Sequence, residues 1–79
     1  MTQRDFEVVA TELGNHARRK KWTKERHPQG FADCLIKLHY AFRIINPAYS
    51  TSLFEDWMWD IAEGRRNLSG VLLPVAQIK

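Results

Sequence analysis

The apolar positions of this chain fall into three helical stripes separated by stretches with no clear period. Phe6, Val9, Ala10, Leu13 and Ala17 recur at spacings of three and four, so they share one face of a helix and predict a side turned to a core. Thr2 and Asp5 stand at capping-box spacing and mark its start. Gly14 and Asn15 weaken the middle of the pattern. The helix either stops at Leu13 with Gly14 as its cap or continues, and continuation is the expectation. Phe31, Cys34, Leu35, Leu38, Phe42 and Ile45 form a second stripe of four turns, supported by Asp33 and Lys37 at i, i+4. Pro47 ends it, because proline disfavours helical geometry at Asn46. Tyr49-Ser50-Thr51-Ser52 offers several N-cap oxygens, and Ser52 with Glu55 has capping-box spacing. Phe54, Trp57, Met58 and Ile61 then give a third helix its core face, closed by Gly64 with Arg65 and Arg66 at its negative end.

These patterns predict an all-α bundle of three main helices, over about 3–18, 30–46 and 51–63, with Phe6, Leu13, Leu35, Leu38, Phe42, Phe54 and Trp57 in the core. The apolar segment Val71 to Ile78 is broken by Pro74 and is expected to lie extended across the helices. Seventy-nine residues suffice for one domain with a marginal core. Nine aromatic residues are too many for a disordered chain. Cys34 is the only cysteine, so no internal disulfide can reinforce that core, which points to a reducing compartment and the cytoplasm. The N-terminus lacks the apolar run of a signal peptide, and no stretch approaches the length of a membrane span.

The net charge of +3 conceals an uneven distribution. Residues 18 to 27 hold six Lys or Arg against one Glu, so the remainder of the chain is slightly acidic. This stretch, through Gly30, reads as a basic connector without apolar period. Arg18, Arg19, Lys20, Lys21, Lys24 and Arg26, with Trp22 among them, could bind phosphates while the indole stacks on a base. They could equally form a solvated loop with Trp22 packed on the core. Trp59 falls opposite the core face of the third helix. It is read either as an exposed partner anchor or as a residue covered by the C-terminal tail. Glu55, Asp56, Asp60 and Glu63 around it could meet a basic partner, or be a solvated face. Cys34 and His39, with His16 and His27, match no standard zinc spacing, and Cys34 is read as a small core residue. The chain contains no Gly-rich phosphate loop and no nucleophile beside an oriented base, so neither an enzyme nor a cofactor is expected.

Asp5-Phe6-Glu7-Val8-Val9-Ala10, Phe31-Ala32, and Asn46-Pro47-Ala48-Tyr49-Ser50 with Phe54 beyond it carry a resemblance. Over roughly residues 4 to 61 the chain resembles a loose group of small bacteriophage and prophage proteins. In that group a D-F-x-x-[VI]-A helix is followed by a second helix and an N-P-x-[FY]-[DS]-x-x-x-F turn into a third. Ser50 stands where the group often has Asp, and the basic connector and tail lie outside the pattern. The resemblance implies a helical fold and a phage or mobile-element origin, and it assigns no site residue. Such proteins often bind and disable a host machine, anti-CRISPR proteins among them.

The functional expectation is a phage-type inhibitor that binds a host protein or ribonucleoprotein complex, such as a CRISPR effector, and occludes its nucleic-acid site with residues 18–26. One alternative is a small nucleic-acid-binding protein using the same residues directly. Another is a self-associating scaffold built on Trp59 and the tail. The chain itself is expected to be a monomer or weak homodimer.

Overall fold

The computed structural model describes residues 3–73. Three helices follow one another: α1, Gln3–Lys20; α2, Gln29–Ile45; and α3, Thr51–Ala62. The architecture is all-α, as the periodicity predicts. Thr2, the expected first cap, lies outside the described residues, as do residues 74–79 of the expected tail.

The helix α1 runs straight through Gly14, and packing explains why. Ala10, Gly14 and Ala17 lie at i, i+4 and i+7 and are all buried, so the face turned to α3 carries almost no side-chain bulk. A Cβ at Gly14 would sit 2.7 Å from the Met58 carbonyl oxygen and 2.7 Å from Ile61 Cβ. Glycine there lets two backbones approach, which outweighs its low helix propensity.

The start of α3 is fixed locally. Ser50, rather than Ser52, is the N-cap, its Oγ accepting the Leu53 N–H at 3.2 Å. Tyr49 before the cap packs on Phe54 with ring centroids 6.2 Å apart, forming a hydrophobic staple. The Asp33–Lys37 support expected on α2 is replaced by a bond from Gln29 Nε2 to Asp33 Oδ1 at 3.0 Å.

Trp59, Phe54, Met58 and Ile61, the largest fully buried side chains, all belong to α3. It is therefore enclosed on more than one side, and this corrects the sequence reading of both its tryptophans. Trp59, expected as an exposed anchor or a residue under the tail, is 1% exposed. Its cover comes from the connector and α2: the His27 ring lies 4.9 Å away and the Phe31 ring 5.7 Å away. Trp57, expected in the core, is only half-buried. Its indole N–H donates to Thr11 Oγ1 at 3.0 Å, the Arg66 guanidinium lies 4.2 Å over its ring, and Gly70 packs against its edge.

Phe6 gathers Phe42, Tyr49 and Phe54 at centroid distances of 6.2, 5.1 and 5.3 Å, and Leu35 and Phe31 extend this core along α2. Leu13 and Leu38 are partly buried at its edge. Cys34, read as a core residue, is exposed. At 3.6 residues per turn it lies about 70° from the middle of the face set by Phe31, Leu35, Leu38 and Phe42, beyond the core's edge. Ile45, at the helix end, is likewise 54% exposed.

Substitution of Gly14 by alanine tests the close approach. In an open helix this change stabilises by about 1 kcal/mol; here the added methyl meets backbone, and overpacking of roughly 1–3 kcal/mol reverses the sign. Urea melts of Gly14→Ala should show a net loss of stability, and a gain would place α1 farther from α3.

Candidate functional site

The basic segment is not one connector but a helix end followed by a short turn. Arg18, Arg19 and Lys20 form the last turn of α1, where positive charge complements the helix dipole. The helix then closes in a Schellman motif: Trp22 N–H donates to Ala17 O at 2.9 Å, and Lys21 N–H to Arg18 O at 3.1 Å. The left-handed position of that motif is held by Lys21, with φ 61°. The end of α3 uses the same closure, Arg65 N–H to Asp60 O and Gly64 N–H to Ile61 O, but there the left-handed residue is Gly64, with φ 86°. A lysine therefore occupies a backbone position that favours glycine.

Beyond the helix, Thr23 and Arg26 exchange two backbone hydrogen bonds of 3.0 Å in a tight turn. Two contacts hold that turn to the body. Glu63 Oε2 accepts the Lys24 backbone N–H at 3.0 Å, and His27 Nδ1 lies 3.0 Å from the Thr23 carbonyl. The Glu63 carboxyl is held below its ordinary pKa, first by the Lys24 N–H and also by Arg65. Arg18, Arg19, Lys20, Lys21, Lys24 and Arg26 are all exposed, and among the described residues none forms an ion pair. Arg18 lies between two shallow grooves. One, of about 400 Å3, is bordered by Lys21, Trp22, Thr23, Glu63 and Gly64. The other, of about 350 Å3, is bordered by Asn15, Arg19 and Leu68.

Trp22, expected as a stacking residue, is only half-exposed, with its ring 5.0 Å from Phe31 and 5.5 Å from His16. Trp59 is removed from this surface by its burial. Of the acidic group on and after α3, Glu55, Asp60 and Glu63 are committed internally, whereas Asp56 is exposed. Asp60 takes Arg65 Nε at 2.7 Å and Arg66 Nε at 3.3 Å, and Glu63 takes Arg65 at 2.9 Å. Arg65 and Arg66 thus brace the loop after α3, where Asn67 Oδ1 receives the N–H groups of Ser69 and Val71.

A second polar cluster was not foreseen as a unit. His39 Nδ1 lies 2.9 Å from the Tyr49 hydroxyl and Nε2 lies 3.2 Å from Glu55 Oε2, the latter outside hydrogen-bond alignment. Tyr-His-Glu in this order resembles a proton relay, but the electrostatics oppose nucleophilic use. Burial, aided by the Glu55 charge, pushes the Tyr49 hydroxyl from 10.0 up to about 12, so it stays protonated and hydrogen-bonded to His39. Its role is to tie α2 to the start of α3. Of the other residues weighed for metal, His16 and His27 face aromatic rings and Cys34 faces solvent. Among the described residues no three His, Cys, Asp or Glu side chains gather, and no helix is long and apolar enough to cross a membrane.

No family model, characterised protein or solved structure matches this chain.

Two variants separate structure from function at these sites. Lys21→Gly should raise stability by about 1 kcal/mol, because it relieves the left-handed backbone, while weakening any anion binding; urea melts that show no gain would remove the strain. For Tyr49, a raised pKa means stability intact below about pH 10 and lost as pH climbs toward 12, by roughly 2 to 3 kcal/mol. Tyr49→Phe should abolish that slope in melts across this alkaline window, and an unchanged slope would assign it to other groups.

Proposed function

We propose that this chain is a non-enzymatic binding protein whose basic α1 end holds the phosphates of nucleic acid carried by a host macromolecular complex, in the manner of a phage-encoded inhibitor. The observation that carries the anionic partner is the contrast between two sets of cations. Arg65 and Arg66 are spent on Asp60 and Glu63, whereas the six basic residues from Arg18 to Arg26 converge at one end without carboxylate partners. The host complex comes from the phage-protein resemblance alone.

Charge complementarity refines the expected mode of inhibition. A channel built to hold nucleic acid is itself positive, so it would repel a basic helix end. The surface suits the nucleic acid held by such a complex, a CRISPR effector being one example, and inhibition then follows from covering phosphates that the complex needs. Trp22 packs against Phe31 and His16 and is only half-exposed, which restricts its use as a stacking platform for bases. Binding through phosphates alone is insensitive to sequence and strongly dependent on salt.

Replacement of Arg18, Arg19, Lys20 and Lys21 by Gln removes the charges without opposing the helix dipole, as Glu at that end would. The variant should keep its circular dichroism and lose binding. With roughly five phosphates neutralised, log affinity against log salt for the unaltered chain should have a slope of about −3.5 to −4.5. Copurification from host lysate with and without nuclease identifies the carrier. A partner lost on nuclease treatment supports the proposal, naked nucleic acid alone supports the direct binder, and wild-type binding by the folded Gln variant would exclude the basic end.

A further inference from the structure

The groove between the ends of α1 and α3 is lined by Arg18, Lys21, Trp22, Thr23 and Gly64, and by one carboxylate, Glu63. Two fields oppose a negative charge there. Glu63 is the C-cap of α3 and stands at the negative end of its dipole. In a groove with Arg18 and Lys21 it also repels the phosphates that this end would hold. Two donors offset that cost: the Lys24 backbone N–H, 3.0 Å from Oε2, and Arg65, 2.9 Å from Oε1. Arg65 is also held by Asp60 at 2.7 Å, whereas the Lys24 N–H has no other acceptor among the described residues.

That bond decides where the 23–26 turn lies. The residues on either side of the turn are tied to the core, Trp22 by Phe31 at 5.0 Å and His27 by Trp59 at 4.9 Å. Between them Lys24, Glu25 and Arg26 are exposed. The two bonds between Thr23 and Arg26 fix the shape of the turn but not its place. Among the described residues, the Lys24–Glu63 bond is the one hydrogen bond that joins the turn to the end of α3.

We propose that Glu63 is a positioning residue for anion binding: its carboxylate pins the 23–26 turn so that Lys24 and Arg26 stand with Arg18, Arg19, Lys20 and Lys21 as one phosphate-binding surface. This role rests on the reading of the basic end as the binding site. Glu63 thus acts in two opposed ways, repelling the ligand by its charge and assembling the surface by its hydrogen bond. Substitution separates them. In Glu63→Gln the charge is gone but the amide oxygen still accepts the Lys24 N–H; in Glu63→Ala both are gone.

The test is titration of the full chain with a labelled, mixed-sequence single-stranded oligonucleotide over a range of salt, with circular dichroism to check each variant's fold. Glu63→Gln should bind about twofold to fivefold more tightly than the unaltered chain, with the same salt slope. Glu63→Ala, equal to it in charge, should bind about threefold to tenfold more weakly than Glu63→Gln. Its slope should be shallower by roughly 1.4 to 1.8, two contacts at 0.7 to 0.9 each. A second readout needs no ligand: the Lys24 amide should exchange its hydrogen more slowly in the unaltered chain and in Glu63→Gln than in Glu63→Ala. Equal exchange in all three, or Gln and Ala variants that bind alike with one slope, overturns the positioning role and leaves the basic end as the binding surface. An unaltered chain that binds no oligonucleotide, its Lys24 amide protected all the same, overturns the reading of the basic end and this role with it.

Discussion

Everything in this fold is arranged around the approach of α1 to α3. The small face of Ala10, Gly14 and Ala17 brings the two backbones so close that a single methyl at Gly14 would meet the Met58 carbonyl. With α3 drawn in, its flanks must be covered by something else. Phe6, Phe42 and Tyr49 close over Phe54, while His27 and Phe31 close over Trp59. A chain of this length has only α1 and α2 with which to cover a central helix. The connector and the loop after α3 therefore act as walls, the connector through aromatic rings and the loop through Arg66 and Gly70 on Trp57.

The electrostatics follow from the same geometry. Enclosing α3 brings its C-terminal carboxylates against the chain that leaves it, and Asp60 and Glu63 are consumed in holding Arg65, Arg66 and the Lys24 amide. Glu25 is the one acid left in the basic stretch, and among the described residues it forms no ion pair with the cations around it. The cations at the end of α1 stabilise the helix terminus by a few tenths of a kcal/mol each, yet Lys21 adopts a left-handed backbone that costs more than that. A charge kept at a conformational cost is what a binding surface predicts and a purely solubilising loop does not.

The role of α2 differs from that of the other two helices. It is held by one aromatic stripe and by the His39 link to Tyr49 and Glu55, and it turns a second apolar stripe outward.

How much of this was legible in the sequence depended on whether each feature is local. The three helices, a cap within Tyr49 to Ser52 and the Gly64 terminator depend on residues within one or two turns of each other, so spacing alone placed them, while the choice of Ser50 over Ser52 was settled by the structure. The basic stretch was visible as charge, but its division into a helix end and a turn was not. Hydrophobic period disappears in a last turn made of Arg and Lys, and a left-handed lysine carries no sequence mark. Trp57 was expected in the core and Trp59 either exposed or under the tail, because a helical wheel assumes one buried face. Only the packing of α1, α2 and the connector around α3 decided that Trp59 would be enclosed and Trp57 left under an arginine. The placement of Cys34 failed for the related reason that a stripe read from spacing has no edge until a neighbouring helix defines one. Gly14 is the reverse case: a residue that weakens a helix in isolation became the point where two helices meet, since a missing side chain has value only when another backbone fills the space.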